Sequence, residues 1–163
     1  MSKNAVELDR TDLKILDALQ KNARLTNAEL AEQVGLSLSP CWRRLKRLEE
    51  VGVIEGYRAV LNRKVLGLGV TAFVRIDIER HTPVFERKFE EAIAELPEVI
   101  SCHVISGEGA FLLVVVCDSL ETYSNFALNT LMALPGVKDT QTSFSLKEVK
   151  SSSMLPLGQA RKA

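Results

Sequence analysis

Residues 25–50, LTNAELAEQVGLSLSPCWRRLKRLEE, admit few folds, because they spell two helices and a tight turn with every boundary marked. Thr26 is placed to cap the first helix, and Glu29 three residues on completes a capping box. Leu30, Ala31 and Val34 give that helix a buried side. Gly35-Leu36-Ser37 forms the turn, since glycine enters the left-handed region that ends a helix. Ser37 is expected to cap the next helix, and Pro40 is tolerated in a first turn that needs no internal amide donor. The pattern is helix-turn-helix, and it implies docking in a DNA major groove.

The faces of the second helix follow from its period. With Cys41 at zero, Leu45 falls at about 40° and Leu48 at about 340°, one apolar stripe. Ser39 at about 160°, Lys46 at about 140°, Arg43 at about 200° and Arg47 at about 240° point the other way. Arg44 lies at the stripe's edge, and Trp42, at about 100°, is expected to pack at the domain edge or against the backbone. A cationic face opposite a buried one suits a helix laid against a polyanion. Arg43 and Arg47 are the expected base-edge readers, because a guanidinium can fork onto guanine. Ser37, Ser39, Arg44 and Lys46 are expected on phosphates, with Pro40 shaping the helix start between them.

The chain has 163 residues, 46% hydrophobic and 26% charged, enough for one domain or two small ones. Its formal net charge of zero hides a division. Residues 1–64 hold 12 Lys/Arg and 9 Asp/Glu, or +3, and the remainder 9 and 12, or −3. Only the front is expected to meet nucleic acid. Cys41, Cys102 and Cys117 sit in apolar contexts without a CxxC pair, so they read as core thiols of a reducing cytoplasm. The N-terminus shows no signal-peptide core, and the longest apolar run, residues 110–117, is too short to cross a bilayer. No metal or cofactor is expected. Enzyme readings fail as well: no phosphate loop, zinc spacing or dinucleotide fingerprint occurs. Nothing arranges His81, His103, Ser106 or Asp118 as nucleophile, base and orienter.

Before the turn motif, Asp9 begins a helix with Asp12 in its first turn and Leu13, Ile15, Leu16 and Leu19 inward. Three helices over residues 1–54 make a winged-helix-like DNA-binding head. Tyr57, Ala59 and Leu61 alternate with polar residues, so 55–69 reads as a short strand linker ending in a glycine-containing hinge. Residues 70–150 read as βαββαβ. The strands fall near 70–79, 99–106, 110–117 and 137–149, and the helices begin at Thr82-Pro83 and at Ser119. Leu96-Pro97-Glu98-Val99 recurs as Leu134-Pro135-Gly136-Val137, 38 residues on (137 − 99), each time at a helix-to-strand crossing. Two split βαβ halves make a ferredoxin-like domain, so the fold class is α+β. The run Phe111-Leu112-Leu113-Val114-Val115-Val116-Cys117 is apolar on both faces, although helices cover only one, so a second copy of the sheet is expected on the other. Residues 151–163 read as a loosely held tail.

The combination N-A-E-L-A-E-Q-V-G-L-S-x-S-P-C-W-R-R-L-K-R-L-E, then G-V-I-E-G-Y, then βαββαβ with L-P-G-V at 134–137 and K-E-V-K at 147–150, resembles the Lrp/AsnC family. These are the leucine-responsive or feast/famine transcriptional regulators of bacteria and archaea, and the similarity runs from about Leu8 to Pro156. The resemblance implies a cytoplasmic, nucleoid-associated regulator that binds double-stranded DNA. It implies dimers paired through their sheets and assembled further into tetramers or octamer rings. It also implies a small effector, usually an amino acid, held between dimers near the hairpin after the second strand of the domain.

Family members commonly carry Gly-x-x-Asp at that hairpin, the Asp meeting the effector's ammonium. Here the run is Gly107-Glu108-Gly109-Ala110, so the acid is replaced at Ala110 and Glu108 is the neighbouring substitute. Backbone amides around Gly107 and Gly109 can still cradle a carboxylate. Thr140, Thr142 and Ser143 on the last strand are the expected hydroxyl-bearing wall. The departure at Ala110 keeps two further readings open: an architectural DNA-wrapping protein without effector, and a small-molecule sensor whose head contacts protein.

Overall fold

Asp9 starts the first helix by reciprocal capping. Its carboxylate accepts the Asp12 amide at 2.8 Å, and the Asp12 carboxylate accepts the Asp9 amide at 3.2 Å. This computed structural model describes residues 6–79, 82–106 and 111–159. It divides into two units, one drawn from the chain up to Val60 plus the segment after Lys150, the other Leu61–Lys150.

In the first unit α1 is Arg10–Lys21, α2 Asn27–Val34 and α3 Leu38–Glu50. Ile15, Leu16 and Leu19 of α1, Leu30 and Val34 of α2, and Cys41 and Leu48 of α3 share one core. Helical spacing alone places these side chains on facing sides. Past α3 the Val53 and Ile54 amides both donate to the Leu48 carbonyl, at 3.0 and 3.1 Å, and turn the chain back onto this core.

Two expectations for this unit are corrected. Residues 55–62 form no strand, and Val60 is 92% exposed. An extended segment becomes a strand only where a neighbour takes its amides, and the described part of this chain supplies none there. The tail, expected to be loose, is docked. Leu155 exchanges two hydrogen bonds with the Gln20 amide, its N–H donating at 2.6 Å and its carbonyl accepting at 3.3 Å. Leu157 packs against the helical core in a single 3-10 turn, Leu157–Gln159.

The second unit runs β1 Val70–Ile78, α4 Pro83–Ala94, β2 Val99–Val104, β3 Phe111–Cys117, α5 Leu120–Asn129 and β4 Val137–Phe144. The sheet order is β2-β3-β1-β4 with every pair antiparallel, which is the ferredoxin-like arrangement. Ala72, Val74, Ile76, Phe111, Leu113 and Val115 face the helices and bury Phe89, Ile93, Tyr123 and Phe126. Ser119 caps α5 by accepting the Thr122 amide at 3.0 Å. Thr82 takes the corresponding place before α4 without a side-chain cap bond.

β4 ends at Phe144, short of the expected 149, because its partner β1 begins at Val70. The Ser145 amide makes the last ladder bond, to the Thr71 carbonyl at 2.9 Å. The hinge is itself built: the Asn62 side-chain oxygen accepts the amides of Lys64 and Val65 at 3.1 and 3.2 Å.

Candidate functional site

α2 carries the capping box its sequence spells. The Glu29 amide donates to Thr26 Oγ1 at 3.3 Å, and the Thr26 amide donates to Glu29 Oε2 at 2.7 Å. The Thr26 amide first, and the Thr26 hydroxyl donating to the same Oε2 at 2.8 Å second, hold the Glu29 carboxyl below its usual range. Gly35 ends the helix at φ 75°, ψ 39°, where any side chain would be strained. Its left-handed turn sends the Leu36 amide back to the Ala31 carbonyl at 2.9 Å and points the chain into α3.

Ser37 takes the N-cap place of α3 with extended backbone, but its hydroxyl makes no cap bond, which corrects the capping expected of it. Ser37 and Ser39 are both exposed, so two hydroxyls stand at the start of the helix with Pro40 half-buried beside them. Cys41 and Leu48 are fully buried, and Leu45 is half-buried on the same stripe. Burial pushes the Cys41 thiol up, as befits a core thiol. Arg43 and Lys46 are exposed on the far side, and among the described residues neither has an ion-pair partner. Trp42 is 49% exposed beside them.

The other two cations are engaged. Arg44 Nη1 meets Asp9 Oδ2 at 2.6 Å and Asp12 Oδ1 at 2.8 Å. Arg47, expected at base edges, has Nη1 at 3.2 Å from Asp12 Oδ2, while its Nη2 donates to the Glu7 carbonyl at 2.9 Å. Asp12 is 1% exposed, a carboxylate within the head core. The Asp9 carboxyl is held below its ordinary range by the Asp12 amide and by Arg44, while hydrogen bonds to Asp12 and then Asp9 raise Arg44. Sequence reading placed Asp12 only as a first-turn acid. The missed signal is its spacing: 12, 15, 16 and 19 form one i, i+3, i+4, i+7 stripe, so this acid had to be buried and matched by cations.

In the second unit the expected effector wall is divided. Thr142 pairs with Val74 and Thr140 with Ile76, so both share the helix-facing side. The Thr142 hydroxyl is bonded to the Tyr123 hydroxyl of α5. Ser143 lies opposite Phe73 and points to the other face. Gly107, Glu108, Gly109 and Ala110 lie outside the described residues. α4, β2 and the start of β3 border an open cavity of about 330 Å³ lined by Ile93, Ala94, Val99, Cys102, Val104 and Phe111, with Glu90 as its carboxylate. Burial first, and Glu90 second, push the Cys102 thiol up.

Comparison with known proteins decides the family. Residues 8–55 match the winged helix-turn-helix DNA-binding model, and residues 71–155 match the Lrp/AsnC ligand binding domain. The chain belongs to the Lrp/AsnC family. It is 43% identical to the Bkd operon transcriptional regulator of Pseudomonas aeruginosa, over 93% of this chain and 99% of that one. It is 41% identical to the leucine-responsive regulatory protein of Escherichia coli K12, over 91% of each.

A transcriptional regulator of Neisseria meningitidis solved with L-Met is 45% identical, covering 92% of this chain and 97% of that one, with TM-score 0.88. An AsnC family regulator of Agrobacterium tumefaciens is 35% identical, covering 94% and 100%, with TM-score 0.90. This Lrp/AsnC protein is therefore a DNA-binding transcriptional regulator rather than an enzyme. Among the described residues no helix is long and apolar enough to cross a membrane, and no cluster of His, Cys, Asp or Glu is arranged to hold a metal.

Proposed function

We propose that α3 enters the major groove with Arg43 at base edges, Lys46 on phosphate, and Ser37 and Ser39 anchoring phosphates beside Pro40. One observation carries this reading: among the described residues Arg43 and Lys46 stand exposed without an ion-pair partner, opposite an apolar stripe turned into the head core, ready to exchange water for a duplex. Arg44 and Arg47 are left out of the contact set because carboxylates already hold them. Arg43→Ala is expected to relax preference at one base pair and to cost roughly 1–3 kcal/mol there. Binding titrations over single-base variants of its operator check this. Equal weakening on every sequence would instead make Arg43 a phosphate contact.

The open face of the sheet supports a dimer, and further association of dimers would set the spacing of the DNA-binding heads. Such a protein would work in the cytoplasm on the nucleoid. The effector we infer is an apolar amino acid. The Neisseria meningitidis relative was solved with L-Met, and here the cavity beside α4 offers apolar walls and the Glu90 carboxylate for an ammonium. Glu90 thus answers the replacement of the hairpin acid by Ala110. Calorimetry against the twenty amino acids tests it: heat is expected from apolar ones such as methionine or leucine, and no heat from any would leave the effector-free architectural reading.

A further inference from the structure

A carboxylate buried to 1% exposure between two arginines of the recognition helix asks what it does for recognition. α3 carries four cations, Arg43, Arg44, Lys46 and Arg47. If all four met phosphate, the helix would bind any duplex strongly, because that attraction is independent of sequence. Asp12 takes Arg44 on one oxygen at 2.8 Å and Arg47 on the other at 3.2 Å. Asp9 adds a second carboxylate to Arg44 at 2.6 Å, and the Glu7 carbonyl a second acceptor to Arg47 at 2.9 Å. The set joins the start of α1 to the middle of α3, across 32 and 35 residues of sequence. Drawing the Nη1 of either arginine away to a phosphate would strip a nearly dry carboxylate of a partner, which is costly.

We propose that Asp12 is a positioning residue for DNA recognition: by holding Arg44 and Arg47 it fixes α3 against α1 and withholds two cations from non-specific phosphate contact. The selectivity of the head then rests on the two remaining cations, Arg43 and Lys46. This builds on the reading of α3 as the DNA-contacting helix.

The test uses the full chain and reads the slope of log affinity against log salt on two duplexes, its own upstream region and a random sequence of equal length. In Asp12→Asn the side chain keeps its shape but loses its charge. Its slope on random duplex is expected to steepen by about one per head, as Arg47 is released to phosphate. The ratio of specific to random affinity should fall at least fivefold. A folded Asp12→Asn with unchanged slope and ratio would overturn the proposal.

Arg47→Gln and Lys46→Gln in the otherwise unaltered chain decide the matter even where Asp12→Asn fails to fold. Lys46→Gln is expected to flatten the slope by about one per head, and Arg47→Gln to leave it where it was. Equal flattening by both would overturn the role of Asp12 while leaving α3 as the interface. No flattening by either would sink the choice of α3 itself, and the proposal with it.

Discussion

Val114→Asp is expected to leave this protein folded and reduce it to the 18.0 kDa monomer. The register of β3 and β1 shows why. Phe111, Leu113, Val115 and Cys117 face the helices, so Leu112, Val114 and Val116 face away, with Phe73 opposite Val114 on the neighbouring strand. Phe73 is 42% exposed, and Leu112 and Val114 are only half-buried. An antiparallel sheet solvated on one side normally alternates apolar with polar, and β3 does not. A symmetric pairing of two such faces would place each subunit's Val114 within one shared apolar layer. Aspartate there costs a lone subunit little, since water still reaches it. In the pair it desolvates two like charges, a penalty of several kcal/mol for each carboxylate. Light scattering on the variant and its parent reads the outcome directly. An unchanged mass would show that this face is not where the copies meet.

Much of this architecture could be read before any coordinates because its causes are local. The capping box at Thr26 and Glu29, the left-handed Gly35 and the stripe of Cys41, Leu45 and Leu48 depend on residues within one or two helical turns. The βαββαβ order follows equally from alternation in β1 and from the duplicated Leu-Pro-x-Val at each helix-to-strand crossing.

What was not legible depends on partners distant in sequence. Leu155 meets Gln20 across 135 residues, and no local pattern announces that the tail docks. β4 stops where β1 begins, a property of the pairing rather than of residues 145–149. Thr142 looked like a spare hydroxyl, yet α5 brings Tyr123 onto it. Arg47 looked like a base reader because helical angles locate a side chain around an axis without saying what packs alongside. The Asp12 stripe position was the one local warning, an acid where the periodicity demands an apolar residue.

Leu48→Ala is expected to abolish DNA binding while the ligand-binding domain keeps its fold. Leu48 is fully buried in a core shared by three short helices, and its carbonyl accepts both amides that turn the chain after α3. Truncating such a leucine removes its transfer energy and leaves a cavity, a loss of about 2–5 kcal/mol. A unit of about 70 residues holds roughly 4–11 kcal/mol in total, so the loss takes a large share of it. The second core, around Phe89, Phe111 and Leu113, contains no residue of α3 and should be spared. One signal separates the two. Trp42 is the only tryptophan in the chain and sits on α3, so its fluorescence in a urea titration reports the head alone, while far-ultraviolet dichroism reports both units. The expected result is a Trp42 midpoint shifted far toward low urea, with a second dichroism transition near its original position. A Trp42 midpoint that stays in place would mean that α3 is held by something other than this core, and the geometry derived for its cationic face would lose its foundation.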